Sequence, residues 1–172
     1  METEIINKVA ASGIVTIDLE DYYPKDAAVE ELDLKPFLFM EMILKEKDFR
    51  QQLKETDWTQ YKDKYVAVYC STDAIIPRWA YMLATAYLQP FAKDVAAGTK
   101  NDIIHSLMVQ NLDAVDFSEF TSKRVVIKGC GDTDISAAAY LEITKRLLPY
   151  AQSIMYGEPC STVPIFKRRN EQ

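Results

Sequence analysis

The sequence predicts an α/β fold: a single layered domain over residues 1–172, with a central, mixed, at least partly parallel sheet and flanking helices. Three observations support this. Residues 65–69 and 124–128 are short apolar runs of strand type, too brief for buried helices. Each leads through a turn-rich stretch into a helical pattern, and strand–loop–helix units repeated in this way favour parallel strands joined by crossovers. The chain is also of single-domain size: 172 residues, 48% hydrophobic, would bury roughly two-thirds of the surface it exposes when unfolded.

The elements follow in order. Residues 3–11 read as a short helix. Gly13 releases the chain into residues 14–19, which alternate and are β-branched as a strand should be. Residues 22–26 form a turn. Pro36 opens a long helix to Lys54, with Phe39, Met42, Ile43, Phe49 and Leu53 on one face and Lys45, Glu46, Lys47, Arg50 and Gln51 outside, a stripe that reads as core packing. After the strand at 65–69, Cys70-Ser71-Thr72-Asp73 precedes a helix whose first turn suits Pro77 and which Pro90 ends. Residues 102–113 give another amphipathic helix. The strand at 124–128 leads through residues 129–134 into a helix over 135–148, with Ala138, Leu141 and Leu147 inward. The tail carries a strand at 153–156, a Gly-Glu-Pro turn and a strand at 163–166. The two strand–loop–helix units share a Cys-Ser-Thr-Asp and Cys-Gly-Asp-Thr-Asp pattern, which is short enough to read as coincidence and not as an internal repeat. No linker composition marks a domain boundary.

Charge and patterning exclude several function classes. The net charge of −6 from 20 Lys+Arg and 26 Asp+Glu argues against nucleic-acid binding, which needs a clustered cationic face. No run approaches ~18 apolar residues, so no membrane span is expected. The N-terminus lacks a basic start followed by an apolar run, and a cytoplasmic location follows, where thiols stay reduced. No Gly-x-Gly-x-x-Gly, Walker-type loop or Gly-x-Ser-x-Gly occurs, so nucleotide and serine-hydrolase readings lack their usual marks.

The three cysteines carry the functional expectation. Cys70 and Cys130 each follow a strand directly, at the edge where open α/β sheets take ligands. Cys160 lies in a Pro-bounded turn. Thiolates ligate Zn²⁺ and iron–sulfur clusters. Cys70, Cys130 and Cys160 are therefore expected to converge on one zinc ion, or on an iron or iron–sulfur centre. Asp73 and Asp132 would serve as fourth ligand or in support, with Asp134, Glu158 and His105 as other candidates. An open fourth position would suit metal-assisted hydrolysis. Three other readings stay open. Cys70 or Cys130 would act as nucleophile in a metal-free thiol or redox enzyme. The thiols would be inert packing. The protein would be a non-catalytic partner-binding domain, since ten tyrosines and two tryptophans supply contact surface. Self-association into a homo-oligomer and an unspecified small-molecule ligand belong to the same expectation.

Other residues read more plainly. His105, the sole histidine, suits a hydrogen-bonded helix residue better than a ligand. Asp18, Glu20 and Asp21 read as a solvated strand end, and Lys167-Arg168-Arg169 as a soluble terminus.

Three blocks carry a family resemblance. They are residues 65–82 (YVAVYCSTDAIIPRWAYM), residues 128–132 (KGCGD) and residues 157–164 (GEPCSTVP). In these blocks the chain resembles an uncharacterised bacterial family, domain of unknown function 2480, over nearly its whole length. The resemblance implies no activity. It does place all three cysteines inside the recognisable blocks, which adds weight to a shared cysteine site.

Overall fold

The computed structural model describes residues 13–129, 131, 133–158 and 160–169. The helix expected at residues 3–11 lies outside them. The elements run in chain order β1 (Ile14–Asp18), β2 (Val29–Asp33), α1 (Glu46–Glu55), β3 (Tyr65–Tyr69), α2 (Arg78–Leu88), β4 (Asp94–Ala97), α3 (Lys100–Asp113), β5 (Arg124–Lys128), α4 (Ala137–Leu147), β6 (Ser153–Glu158) and β7 (Ser161–Lys167). The fold is α/β. Its strands, however, form two sheets where the sequence suggested one: β2-β3-β4, all parallel, and β1-β5-β6-β7, parallel except for the β6–β7 hairpin. The chain divides into two compact units, unit 2 formed by Pro24–Ser106 and unit 1 by the chain on either side of it.

Burial on both faces explains why β3 and β5 stand out in sequence. Val66, Ala67 and Val68 are buried in one sheet, and Val125, Val126 and Ile127 in the other, so each central strand is a continuous apolar run. Each unit has its own core. In unit 2, Phe49 and Leu53 of α1 and Ala80, Ala84 and Leu88 of α2 pack with Val66 and Val68. In unit 1, Met108 and Leu112 of α3 and Ala139, Ile143 and Leu147 of α4 pack with Val125 and Ile127. The inward face of α4 is therefore the row spaced by four residues from Ala139. Leu141, expected inward, is 68% exposed.

The helix expected from Pro36 begins only at Glu46. Lys35–Phe37 is a single 3-10 turn, and Met40 and Glu41 take left-handed backbone conformations (φ 51° and 59°) that no α-helix contains. The apolar stripe was real only in its second half: Phe49 and Leu53 are fully buried, while Phe39, Met42 and Ile43 are exposed.

The two units are copies of one plan. From Asp48 in α1 to the end of β4, the sequence of unit 2 has its counterpart fifty-nine positions later in unit 1: β3 answers to β5, α2 to α4, β4 to β6 and most of α1 to the C-terminal part of α3. The strand registers coincide, Val29↔Tyr65↔Asp94 in one sheet and Ile14↔Arg124↔Ser153 in the other. Details coincide too. Asp63 and Ser122 share a left-handed φ (60° and 61°), and their N–H groups donate to the carbonyls of Phe91 and Tyr150, each at 3.0 Å. Leu34 and Leu19, the residues after β2 and β1, are both fully buried. The short cysteine pattern is thus part of a true repeat, seen in the wrong register: Cys70 answers to Gly129, and Asp73 to Asp132. In unit 1 the connection that follows the first strand's 3-10 turn carries the whole of unit 2. At the same place unit 2 has only the turn Phe39–Ile43.

Asp57 and Asp116 occupy equivalent helix caps. Each accepts the hydroxyl and the N–H of the residue two further on, Thr59 or Ser118, and these bonds hold each carboxyl below its ordinary value. A depressed folded pKa contributes stability that is present above the unfolded value of ~3.9 and is lost as pH falls through the folded value. Acidification below about pH 4 therefore lowers the urea midpoint, and the Asp57→Asn/Asp116→Asn double variant shows a shallower decline. An unchanged pH dependence in that variant would contradict the assignment.

Candidate functional site

Among the described residues the expected cysteine centre is not assembled. Cys70 is half-buried at the carboxyl end of β3 in the unit 2 sheet, and Cys160 is exposed in the turn between β6 and β7 of the other sheet. Cys130 and Asp132 lie outside the described residues. Among the described residues no group of three or more His, Cys, Asp or Glu side chains could hold a metal ion. The zinc reading and its iron and iron–sulfur alternatives are corrected accordingly, and with them the metal-assisted hydrolysis. β3, which leads into Cys70, pairs with β2 and β4, whereas β6 and β7, which flank Cys160, belong to the other sheet.

Neighbouring polar groups serve local structure. Asp33 accepts the Ser71 hydroxyl and N–H and the Lys35 N–H. Burial raises its pKa, but these hydrogen bonds outweigh burial and hold the carboxyl below its ordinary value. A carboxylate so depressed is a poor general base. Asp18, its counterpart, accepts the Glu20 N–H and pairs with Lys128 at 2.8 Å. Glu20 accepts the Thr133 N–H at 3.4 Å and rests against Gly131, where a Cβ would collide with it. His105 is half-buried on α3, and its Nδ1 has no partner. No hydrogen bond reaches the Cys70 thiol among the described residues.

What stands out instead is an apolar surface that includes Phe39, Met42 and Ile43, three residues the sequence had assigned to the core. Phe39, Met40, Met42 and Ile43 are 44%, 77%, 67% and 56% exposed, and Ile75 is 93% exposed. A tight turn displays the first four. Phe39 and Ile43 form a bridge, with Phe39 N–H donating to the Ile43 carbonyl at 2.8 Å. Met40 and Glu41, at its tip, hold left-handed conformations that normally fall to Gly or Asn and that cost about 1 kcal/mol or more each in other residues. The turn is clamped: Lys35 pairs with Glu41 at 3.0 Å, and the Lys45 ammonium lies 3.2 Å from the centre of the Phe39 ring. Met42, Ile43 and Leu44 then line a groove of about 400 Å³ with Asp73, Ala74, Ile75 and Pro77. Asp73, one of the expected ligands, is thus an exposed carboxylate on the wall of an apolar groove.

Exposed apolar side chains gathered on a constrained turn mark a surface for binding another molecule. Methionines adapt to the shape of whatever covers them. The available sequence signal was the run Phe39-Met40-Glu41-Met42-Ile43, which is more apolar than an amphipathic helix requires.

The family model described as protein of unknown function (DUF2480) matches residues 3–168. No curated protein and no solved structure matches the chain.

Proposed function

This chain belongs to the DUF2480 family, and we propose that it is a non-catalytic docking protein that captures an apolar segment of a different protein on the face formed by Phe39–Ile43 and Ile75. The carrying observation is the clamped turn: backbone strain is spent on holding Met40 and Met42 in solvent. Asp73, which has no ion-pair partner among the described residues, gives the groove a negative wall, so the segment carries a lysine or arginine beside its apolar anchors. The net charge of −6 favours such a partner over nucleic acid. The two free thiols among the described residues suit a cytoplasmic location. Among the described residues no helix is long and apolar enough to cross a membrane.

A photo-crosslinking side chain at Met42, used in living cells, tests this reading, with the same group at exposed Lys47 as control. A discrete adduct is expected from position 42 alone. Ile75→Glu reduces it about tenfold or more, because withdrawing one apolar anchor forfeits ~1.5–3 kcal/mol, and Asp73→Lys reduces it by setting like charge against the segment's cation. The proposal fails if position 42 yields no adduct, if both positions yield the same one, or if the adduct has the mass of two copies of this chain.

A further inference from the structure

Unit 1 serves as an internal reference for a second groove in unit 2. In unit 1 the Tyr140 hydroxyl donates to the Gly129 carbonyl at 3.0 Å. The Tyr156 ring stands edge-on to Tyr140, with centroids 5.6 Å apart and planes at 78°. The equivalent positions of unit 2 are Tyr81, Cys70 and Ala97. Two of these differences open the structure. Ala97 removes the ring that Tyr156 supplies. Cys70 adds a side chain where Gly129 has none, and a Cβ at Gly129 would stand 2.6 Å from the Tyr140 hydroxyl oxygen. The tyrosine-to-carbonyl bond is accordingly absent in unit 2, and the Tyr81 hydroxyl has no hydrogen-bond partner among the described residues.

What results is a groove of about 600 Å³ whose lining includes Tyr69, Cys70, Arg78, Tyr81, Met82 and Ala97. It lies at the carboxyl ends of β3 and β4, the edge at which parallel α/β sheets bind small molecules. Arg78 replaces Ala137 of unit 1 and forms no ion pair among the described residues. We propose that this groove binds a small aromatic carboxylate, its ring in the place that Tyr156 fills in unit 1 and its carboxylate on Arg78. The Tyr81 ring offers an edge-to-face wall and the Met82 thioether a second favourable contact for an aromatic ring. A guanidinium at the rim binds a carboxylate through two parallel N–H donors. This ligand site is separate from the protein-docking face and does not depend on it.

Benzoate, phenol and acetate, titrated into the whole protein and followed through the amide NMR signals of Ala97 and Gly98, test the assignment. Benzoate saturates in the millimolar range, phenol binds more weakly and acetate hardly at all. Arg78→Ala, an exposed change, weakens benzoate roughly tenfold, the effect of one charged hydrogen-bonding partner, and leaves phenol unchanged. Ala97→Tyr rebuilds the plug of unit 1 and abolishes binding of both aromatics without lowering the urea midpoint. Absence of saturable benzoate binding to the native protein overturns the proposal. So does benzoate affinity undiminished in Arg78→Ala, or in a folded Ala97→Tyr variant.

Discussion

Phe49→Ala lowers unfolding free energy by about 3–5 kcal/mol, whereas Phe39→Ala changes it by less than about 1 kcal/mol. Both residues belong to the apolar stripe that the sequence places on one long helix. If that helix existed, the two truncations would cost alike. In the structure Phe49 is fully buried, and its ring meets Phe37 and Trp79 edge-on at 5.9 and 5.8 Å. Truncation removes transfer free energy, two aromatic contacts and the filling of a cavity that the surrounding α1, α2 and β3 side chains cannot collapse into. Phe39 sits in the clamped turn at 44% exposure, with the Lys45 ammonium over its ring. Urea denaturation followed by tryptophan fluorescence separates the cases, and equal losses for the two variants would refute the assigned boundary of α1.

Leu88→Ala and Leu147→Ala are expected to cost about 2–5 kcal/mol each. These leucines are repeat equivalents on the last turn of α2 and of α4, and both are fully buried. Their settings match: each carbonyl accepts the N–H of the residue that ends the helix connection, Ala92 at 2.9 Å and Ala151 at 2.8 Å, and both of those alanines are buried. The repeat therefore requires more than two large effects. Denaturant titration of both variants should give losses within the same range, and amide exchange should accelerate in β3 for one and in β5 for the other. A loss below about 1 kcal/mol at either position would mean that the equivalence of the cores is only apparent.

The two central strands were legible because burial on both faces writes itself as an unbroken apolar run. Helices α2, α3 and α4 were legible from their period and from Pro77 and Pro90. Strands β2 (VEELD) and β4 (DVAA) escaped notice because they are short, edge-positioned and rich in Asp, Glu or Ala, so their pairing with β3 and not their composition makes them strands. The repeat was glimpsed through its least informative residues. Setting Cys70 against Cys130 slips the comparison by one position. With Cys70 against Gly129, Asp57 meets Asp116, Val66 meets Val125, Tyr81 meets Tyr140, Leu88 meets Leu147 and Gly98 meets Gly157. The metal expectation had another source: Cys70 and Cys130 each follow a strand directly, and Cys160 lies in a Pro-bounded turn. Phe39, Met42 and Ile43 were recognised as apolar but given the wrong destination. Hydrophobicity states that a residue gains from being covered, and it does not state whether the cover comes from the same chain.

The placement of unit 2 within unit 1 has a consequence for the order of events at the ribosome. β1 is the first described strand to be made, yet its partner β5 is synthesised only after all of unit 2. Unit 2 is contiguous and closes its sheet with partners that emerge in succession, whereas unit 1 must form a pairing of long sequence separation, which slows folding. All the strands of the inserted sheet are therefore synthesised before the partner of β1 exists.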